Sequence, residues 1–316
     1  MAIEFIGSLV NGATELSADP EYPARIAGLH EESGFDRLLV GHSSSSPDGF
    51  AVANQVLTTT SRLGVLLAHR PGFVAPTIAA RQYATLEAFH PGRVAMHVIT
   101  GDDADQRRDG DISDQASRYR RSGEFLDVVK LEWASAEPFD YAGQFYRVSG
   151  GQSAVRPSGG RLPVYFAGGS AEAVAVGGRH ADVYAFRGEP LAAIAERMAA
   201  VRAAAAPHGR APRFSVSLRP IAAATEQQGW ARARRVLEAE IHDQRLWTPL
   251  AATPGAGGNS TALVGSYEQV AEALLDYVAI GLSTLLIRGY HREADAADYA
   301  TIITLARERA DRARVA

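Results

Sequence analysis

The chain has 316 residues, of which 46% are hydrophobic, and this is enough for one barrel-sized domain or two smaller ones. Its formal net charge of −4 argues against a nucleic acid or an anionic membrane as an electrostatically recruited partner. The absence of cysteine excludes disulfides, thiolate nucleophiles and cysteine metal sites. The sequence shows no secretory signal pattern and no apolar run near the roughly 18 residues that span a bilayer, so we expect a soluble cytoplasmic protein.

Strand-like and helix-like segments alternate along the whole chain. The predicted strands are residues 4–9, 37–40, 63–68, 93–100, 164–167, 182–186, 214–218 and 284–288. The helices predicted to follow them are residues 23–34, 49–59, 76–89, 116–133, 171–177, 190–206, 229–246 and 296–312. Eight such units predict a single (β/α)8 TIM barrel over residues 1–316, with insertions. The alternative is an open doubly wound sheet, but no Gly-x-Gly-x-x-Gly turn follows the first strand.

Three segments fall outside the repeat. Residues 102–110 alternate acidic and basic side chains, and residues 139–148 are predicted to form a hairpin around Ala142-Gly143. Residues 249–260 are rich in glycine and proline, which is typical either of a connection without regular structure or of a lid. We predict a lid over residues 245–262 that closes the mouth of the barrel.

Polar residues cluster where the predicted strands end, which is where parallel α/β proteins bind ligands. Strand three ends in His69-Arg70, a pair that suits an anionic or carbonyl substrate; the alternative is a structural arginine that binds loop carbonyls. Strand two is followed by four consecutive serines. Strands seven and eight are followed by Arg219 and by the run Arg288-Gly-Tyr-His291.

The fourth and fifth strands and the helices after them carry further candidate residues. A histidine at position 97, in a strand buried on both faces, either faces the cavity or is a hydrogen-bonded core residue. Phe166-Ala-Gly-Gly-Ser170 runs from a strand into a helix and predicts a phosphate cradle. The basic residues Arg118, Arg120 and Arg121 oppose the dipole at the start of a helix, a conflict that a nearby anion would resolve. The nine histidines show no metal-ligand spacing, so we predict no metal site.

Taken together, the chain resembles the bacterial luciferase-like superfamily of flavin-dependent barrels, and within it the FMNH2-dependent alkanesulfonate monooxygenases. The motifs that carry the resemblance are His69-Arg-Pro-x4-Pro-Thr-x-Ala-Ala-Arg-Gln-x-Ala-Thr-Leu86, Gly92-Arg93, Val98-Ile-Thr-Gly101, Arg118-Tyr119 with Glu124-Phe125, Pro163-x-Tyr-Phe-x-Gly-Gly-Ser170, Ala181-Asp-x-Tyr184, Gly188-Glu-Pro190, Thr261-Ala-Leu-Val-Gly265 and Gly289-Tyr290. They span nearly the whole chain.

The resemblance implies a two-component monooxygenase. FMN would arrive as FMNH2 from an NAD(P)H:flavin reductase, and O2 would be the co-substrate, reacting through a C4a-(hydro)peroxyflavin. The enzyme would oxidise a small organic substrate, with an organosulfonate and C–S cleavage as one candidate, and would form a homodimer or higher homo-oligomer. The alternatives are an F420-dependent oxidoreductase of the same superfamily and a non-catalytic flavin-binding protein.

The resemblance also assigns site residues. It implies that the flavin phosphate lies near Tyr119, Gly168, Gly169 and Ser170, and the isoalloxazine edge near Ser46, His97 and Thr100. It adds Tyr290 at the reacting face. The candidate catalytic and substrate-facing residues are His69, Arg70, His97, Arg219 and Tyr290.

The chain departs from the alkanesulfonate pattern at several site positions. Ser217 and Arg219 stand where those enzymes carry arginine and histidine, Ser46 stands for a cysteine, and Asn11 stands for a histidine. Residues 249–260 contain no arginine where those enzymes have one. The resemblance therefore supports a flavin-dependent reaction more strongly than it supports a sulfonate as the substrate.

Overall fold

The computed structural model describes residues 3–9, 19–237, 247–249, 261–288 and 295–315. Its strands are β1 (Glu4–Leu9), β2 (Arg37–Val40), β3 (Gly64–His69), β4 (Val94–Val98), β5 (Phe139–Ala142), β6 (Arg147–Gly151), β7 (Val164–Ala167), β8 (Val183–Arg187), β9 (Arg213–Ala223), β10 (Trp247–Pro249), β11 (Thr261–Ser266) and β12 (Thr284–Ile287). Its α-helices are α1 (Tyr22–Glu32), α2 (Gly49–Thr59), α3 (Pro76–Phe89), α4 (Asp103–Arg108), α5 (Gln115–Ala134), α6 (Ala171–His180), α7 (Leu191–Ala205), α8 (Glu226–Leu237), α9 (Tyr267–Ala279) and α10 (Ala296–Val315).

Eight of the strands close into a parallel barrel. Their order is β9-β12-β1-β2-β3-β4-β7-β8, and β8 pairs back with β9. Every pair around this ring is parallel. The predicted (β/α)8 barrel is therefore confirmed, and the open doubly wound sheet is excluded.

Side chains alternate between the interior of the barrel and the layer beneath the helices, as the period of a β-strand requires. The interior layer is made by one buried side chain from each of six strands: Ile6, Leu66, Ala95, Tyr165, Val183 and Leu286. The residues next to them in sequence, such as Leu67 and Phe166, belong to the larger core between strands and helices. This alternation fixes which residues at the strand ends face the mouth.

A charged network closes the amino-terminal floor of the barrel. The Glu4 carboxylate accepts hydrogen bonds from Tyr165 Oη at 2.6 Å, Thr284 Oγ1 at 2.9 Å and Arg37 Nε at 2.9 Å. Burial alone would raise the pKa of Glu4, but these donors and the Arg37 charge hold it below the ordinary value. The floor therefore ties β1, β2, β7 and β12 together with the carboxylate ionised.

The structure adds to the predicted elements the strands β10 and β11 and the helix α9, and it changes two other segments. The seventh barrel strand, predicted for residues 214–218, is the 11-residue β9, because its carboxyl end continues beyond the barrel as the parallel partner of β11. The segment 102–110, predicted to lie outside the strand–helix repeat, contains the short helix α4, which is capped by the Asp102 side chain. The predicted hairpin is confirmed as the antiparallel pair β5–β6.

Most of the lid predicted for residues 245–262 lies outside the described residues. Its described parts are β10 and the start of β11, which pair in antiparallel fashion. Among the helices that the structure describes, none combines the length and the apolar character needed to cross a membrane.

Candidate active site

His69 and Arg70, at the end of β3, lie on opposite faces of the barrel wall. Leu66 belongs to the interior of the barrel and Leu67 to the outer layer, so His69 shares the outer face and Arg70 follows on the inner one. The His69 ring stacks on Phe125 of α5, with ring centroids 4.9 Å apart and planes inclined by 22°. The structure thus places His69 between barrel and helices and does not bring it together with the other candidate residues at the mouth.

The environment of His69 keeps its ring neutral. The side chain is only 6% exposed, and its Nε2 has no hydrogen-bond partner among the residues that the structure describes. Burial, and to a lesser degree the neighbouring His42, lower the pKa of His69 to about 3. A ring in this position supports packing rather than direct contact with a substrate.

Arg70 is a buried cation at the mouth. It is 3% exposed, forms an ion pair with Asp109, and lies over the Phe73 ring with its guanidinium carbon 4.9 Å from the centroid. Its Nε and Nη1 have no hydrogen-bond partner within the described parts of the chain. A buried guanidinium with two unused donors is suited to binding a polar ligand atom.

His97 faces the interior of the barrel. It lies two residues after Ala95 on β4, beside Ala68 of β3 and Tyr165 of β7. Burial lowers its pKa to about 4, against a smaller opposing effect of the Tyr165 backbone, and no described residue bonds its Nδ1. His97 is therefore neutral at neutral pH and holds a nitrogen ready for a ligand.

Two more predicted residues lie on loops at the same end. Thr100 is buried just after β4, and its carbonyl accepts a hydrogen bond from Gln106. Ser46 closes a serine turn, in which its Oγ lies 2.9 Å from both the amide nitrogen and the Oγ of Ser43. The neighbouring Ser44 donates to Asp105 of α4 at 2.8 Å, so α4 connects the loops after β2 and β4.

The predicted phosphate cradle lies at the start of α6. Ser170 is the N-cap residue, and its Oγ accepts a hydrogen bond from the amide of Ala173 at 3.2 Å. A Cβ placed on Gly168 would come within 2.6 Å of Tyr119 Oη, so the tyrosine hydroxyl lies directly against this turn. Tyr119, Gly168, Gly169 and Ser170 are therefore brought together at one end of the barrel, beside a helix N-terminus that favours anions.

The basic start of α5 is balanced by carboxylates of the chain itself. Arg118 Nη2 lies 2.6 Å from Asp103 Oδ1, and Arg121 forms an ion pair with Asp111. The Asp114 side chain caps the helix by accepting from the Ser117 amide at 2.7 Å. These contacts resolve the conflict with the helix dipole, so the anion expected at this point from the sequence is not required.

Arginines stand on three neighbouring strands: Arg187 at the end of β8, Arg219 where β9 leaves the barrel to pair with β11, and Arg288 just after β12. Ser217 lies between Arg187 and Leu286 in the strand register and faces the interior, and its Oγ has no partner in the described structure. The sequence prediction missed Arg187, although its position directly after a predicted strand was a usable signal. The predicted residues Tyr290 and Asn11 lie outside the described residues.

In the described parts of the chain, no three histidine, aspartate or glutamate side chains converge on a point that could hold a metal ion. The mouth offers guanidinium, imidazole, hydroxyl and amide groups, and its carboxylates Asp105 and Asp109 are engaged by Ser44 and Arg70. This set is suited to an organic ligand that carries an anionic group.

The chain matches a known protein family, and several solved structures share its barrel fold. Residues 4–284 match the family model of luciferase-like monooxygenases. Riboflavin lyase RcaE, solved with modified FMN and riboflavin, is 18% identical with a TM-score of 0.83, covering 98% of this chain and 92% of its own. EDTA monooxygenase EmoA from Chelativorans sp. BNC1 is 17% identical with a TM-score of 0.82, covering 98% of this chain and 94% of its own.

An F420-dependent secondary alcohol dehydrogenase, solved with an F420-acetone adduct, is 15% identical with a TM-score of 0.77, covering 97% of this chain and 100% of its own. At such identities the solved structures show the shared barrel fold. The family follows from the match over residues 4–284, and it confirms the superfamily predicted from the motifs. The chain is an enzyme of the luciferase-like monooxygenase family.

Proposed function

We propose that this enzyme uses reduced FMN and O2 to oxidise a small organic molecule. The observation that carries the proposal is the turn at Gly168-Gly169-Ser170, which places a helix N-terminus and the Tyr119 hydroxyl side by side at the barrel mouth. Such a turn suits a ligand that ends in a phosphate, as FMN does. Membership of a monooxygenase family supports the reaction class.

The residues at the mouth fit FMN. The amides of the first turn of α6, Ser170 Oγ and Tyr119 Oη would bind the phosphate. Arg197 Nη1 lies 3.5 Å from the position of a Cβ on Gly169 and would add positive charge there, although it is also paired with Glu189. We propose that the ring system extends from this turn into the mouth.

Buried polar atoms without hydrogen-bond partners support a flavin ring that extends from the phosphate turn into the mouth. His97 Nδ1, Ser217 Oγ and two nitrogens of Arg70 are such atoms among the described residues. An unpaired buried polar group costs free energy, and a bound heterocycle with nitrogens and carbonyl oxygens would remove that cost. Ser46 and Thr100 are proposed to line the edge of the same ring.

When bound, reduced flavin supplies two electrons to O2, so that one oxygen atom enters the substrate and the other leaves as water. The protein contributes orientation and an environment from which water is excluded. Arg70 and Arg219 are proposed to hold or polarise the substrate, and neutral His97 can accept a proton at Nδ1. Tyr290 at the reacting face and a lid over residues 245–262 complete the proposed site.

A coupled assay tests this proposal. The protein is mixed with FMN, NADH, an FMN reductase, catalase and a panel of aldehydes, ketones and organosulfonates, and products are analysed by mass spectrometry. We expect product only when reductase, FMN and O2 are all present, with one atom of 18O from 18O2 in the product. Equal turnover without O2 would contradict the proposal, and a reaction without the protein is the control.

A second candidate is supported by the likeness to the F420-dependent alcohol dehydrogenase over the whole length of that chain. In that case the cofactor would be F420 and the reaction a hydride transfer without O2. Fluorescence titrations with FMN and with F420 separate the two. Micromolar binding of F420 together with no binding of FMN would favour the dehydrogenase.

A further inference from the structure

A pocket opens at the amino-terminal floor of the barrel, at the end opposite the mouth. It lies where the chain enters the neighbouring strands β7, β8 and β9, and its volume is about 360 Å³. That volume is at the lower end of the range for small-molecule sites. Arg161, Arg210 and Arg213 line it together with Asp182, the one carboxylate among the described lining residues. The pocket is therefore basic and remote from the proposed flavin site.

Local structure brings Arg210 to this floor. The chain turns just after α7 at Gly209, whose φ of +62° is one that glycine adopts without strain. Arg210 Nη2 then donates to Asp182 Oδ1 at 2.8 Å and to the Ala181 carbonyl at 3.0 Å. Asp182 Oδ2 accepts from the Val164 amide at 2.9 Å. Asp182 thus holds both Arg210 and the start of β7, and it balances one of the three arginine charges.

The Arg210 guanidinium is fixed in place before a ligand arrives. Its Nη2 also lies 3.4 Å from the His180 carbonyl, which accepts from Lys130 Nζ at 2.7 Å. This carbonyl is at the carboxyl end of α6, where the helix dipole favours positive charge. The hydrogen bonds of the Arg210 side chain to the described residues all come from Nη2, so Nε and Nη1 are unused. The guanidinium is therefore oriented by the protein and still has donors for a ligand.

The other two arginines are unbalanced within the part of the chain that the structure describes. Arg161 and Arg213 are exposed, and neither side chain forms a hydrogen bond or an ion pair with a described residue. The Glu4 carboxylate of the floor is already paired with Arg37 at 2.9 Å. Residues at this face of a TIM barrel usually serve stability, a role that Arg210 fills and that Arg161 and Arg213 do not. Two positive charges of the pocket therefore have no structural explanation.

We propose that this floor pocket binds a small phosphorylated anion that carries a diphosphate group. Planar guanidinium groups match phosphate oxygens, which accept two parallel hydrogen bonds from one arginine. Three arginines against one aspartate leave a net lining charge of two, which a diphosphate can balance within one compact group. The inference goes beyond the proposed function, because the pocket and the mouth are at opposite ends of the barrel.

The arginines come from separate segments of the chain. Arg161 precedes β7, Arg210 precedes β9, and Arg213 is the first residue of β9. A ligand with two phosphoryl groups can contact more than one of these segments at once, whereas a single phosphate reaches fewer of them. We therefore expect inorganic pyrophosphate to bind more tightly than inorganic phosphate.

The test is a calorimetric titration of the whole protein with pyrophosphate, phosphate and citrate, at low and at physiological salt. Citrate is a multiply charged anion without phosphorus. The variants are Arg161→Met and Arg213→Met, which remove charge but keep a long side chain. Arg147→Met is the matched control, since Arg147 is an exposed arginine on β6 that does not line the pocket. Pyrophosphate titrations are repeated with saturating FMN, because the phosphate turn at the mouth is the competing site.

We expect pyrophosphate to bind at one site, more tightly than phosphate or citrate, with an affinity that falls as salt rises. Each of the two variants should weaken pyrophosphate binding by about 10-fold, which corresponds to the loss of a hydrogen bond to a charged group. Arg147→Met and saturating FMN should each change the affinity by less than about 2-fold. The melting temperature should be the same in all variants, because the replaced side chains make no contacts that the fold needs.

Failure of the wild-type protein to bind pyrophosphate would overturn the site, as would unchanged binding in both variants or an equal loss in Arg147→Met. Citrate binding as tight as that of pyrophosphate would overturn the assignment to a diphosphate. Loss of pyrophosphate binding on addition of FMN would also overturn the floor site and would place pyrophosphate at the mouth. Failure of the protein to bind FMN would count against the proposed function alone, because the flavin-free titrations still test the floor arginines.

Discussion

At the scale of single residues, two adjacent glycines in the phosphate turn have different surroundings. A Cβ on Gly168 would lie 2.3 Å from Ala173 Cβ and 2.6 Å from Tyr119 Oη. A Cβ on Gly169 would meet only Arg197 Nη1, at an ordinary 3.5 Å. Gly168 is needed for the close approach of the turn to Tyr119, whereas Gly169 has space for a methyl side chain.

We therefore predict that Gly168→Ala displaces Tyr119 from the turn. The change should weaken FMN binding by about 10-fold and lower the free energy of unfolding by about 1–3 kcal/mol, the usual cost of overpacking. Gly169→Ala is the matched control and should stay within about 2-fold in FMN affinity. Fluorescence titration and urea unfolding measure both quantities. Equal effects of the two variants would contradict the assigned role of Gly168.

His69 allows a prediction with a defined pH dependence. Its pKa in the folded protein is about 3, below the ordinary value of 6.5, so protonation favours the unfolded chain. The neutral ring is compatible with the fold at neutral pH, and the stability that depends on it is lost as pH falls below about 6.5 towards the folded pKa.

The variant His69→Phe tests this. Phenylalanine keeps the stack on Phe125 and removes the unpartnered buried Nε2, so stability at pH 7.5 should be unchanged or slightly higher. Between pH 6 and pH 4, the variant should lose less stability than the wild type, by about 1.4 kcal/mol per pH unit. Parallel curves for the two proteins in urea unfolding at several pH values would show that His69 is not buried and neutral.

Sequence alone could name residues 69, 70 and 97 but could not assign their faces. A shift of one residue in a strand exchanges its two faces, and the register depends on all eight strands closing together. In a strand that is apolar throughout, such as residues 64–68, no alternation marks the inner face. Arg70 and His97 therefore face the mouth and His69 does not, although all three lie near the carboxyl ends of barrel strands.

At the scale of elements, the helix α4 illustrates a structure made by tertiary contacts. It has only six residues, carries mostly charged side chains, and has no apolar periodicity from which a helix could be predicted. Three contacts fix its position: a hydrogen bond from Ser44 to Asp105, an ion pair between Arg118 and Asp103, and an ion pair between Arg70 and Asp109, the residue after the helix. It covers Arg70, so its stability bears on the candidate site.

We predict that Asp109→Ala loosens α4, because it leaves the buried Arg70 charge without its carboxylate. The free energy of unfolding should fall by about 3 kcal/mol, and the amides of α4 should exchange faster with deuterium. Arg108→Ala is the control, since its 3.4 Å pair with Asp105 is largely exposed and should matter by less than about 0.5 kcal/mol. If both variants behaved alike, Arg70 would not depend on Asp109.

At the scale of the whole molecule, the barrel is closed at its floor by the network around Glu4. Because the folded pKa of Glu4 is lowered, its contribution to stability is present above the ordinary pKa of 4.5 and is lost as pH falls through the folded value. The alternation of strands and helices in the sequence predicted the closed ring. The hydrogen bond from Tyr165 to Glu4 joins residues 161 positions apart, and no sequence pattern predicted it.

Tyr165→Phe should therefore cost about 1.5–3 kcal/mol at pH 7, the usual range for a hydrogen bond to a charged group. The cost should shrink as pH falls below about 4.5, because Glu4 then becomes protonated. Tyr141→Phe serves as the control, since it removes a longer bond of 3.3 Å to Asp127 from the β5–β6 hairpin. A cost for Tyr165→Phe that does not depend on pH would argue that Glu4 is uncharged at neutral pH.

The (β/α)8 barrel was more predictable from the sequence than the strands that lie outside it. The repeat of strand and helix is a local pattern that the sequence displays directly, whereas the β9–β11 pair outside the ring depends on a contact between residues about 43 positions apart. The grouping of Arg187, Arg219 and Arg288 also arises from closure of the ring, since β9 lies between β8 and β12.

We propose that the carboxyl mouth of this barrel holds FMN, with its phosphate at the start of α6. A crystal structure of the protein with FMN is the decisive measurement. We predict electron density for the phosphate against the amides after Gly169, between Ser170 and Tyr119, with the ring extending towards His97. Phosphate density on Arg187 and Arg288 instead, or FMN bound away from the mouth, would contradict it.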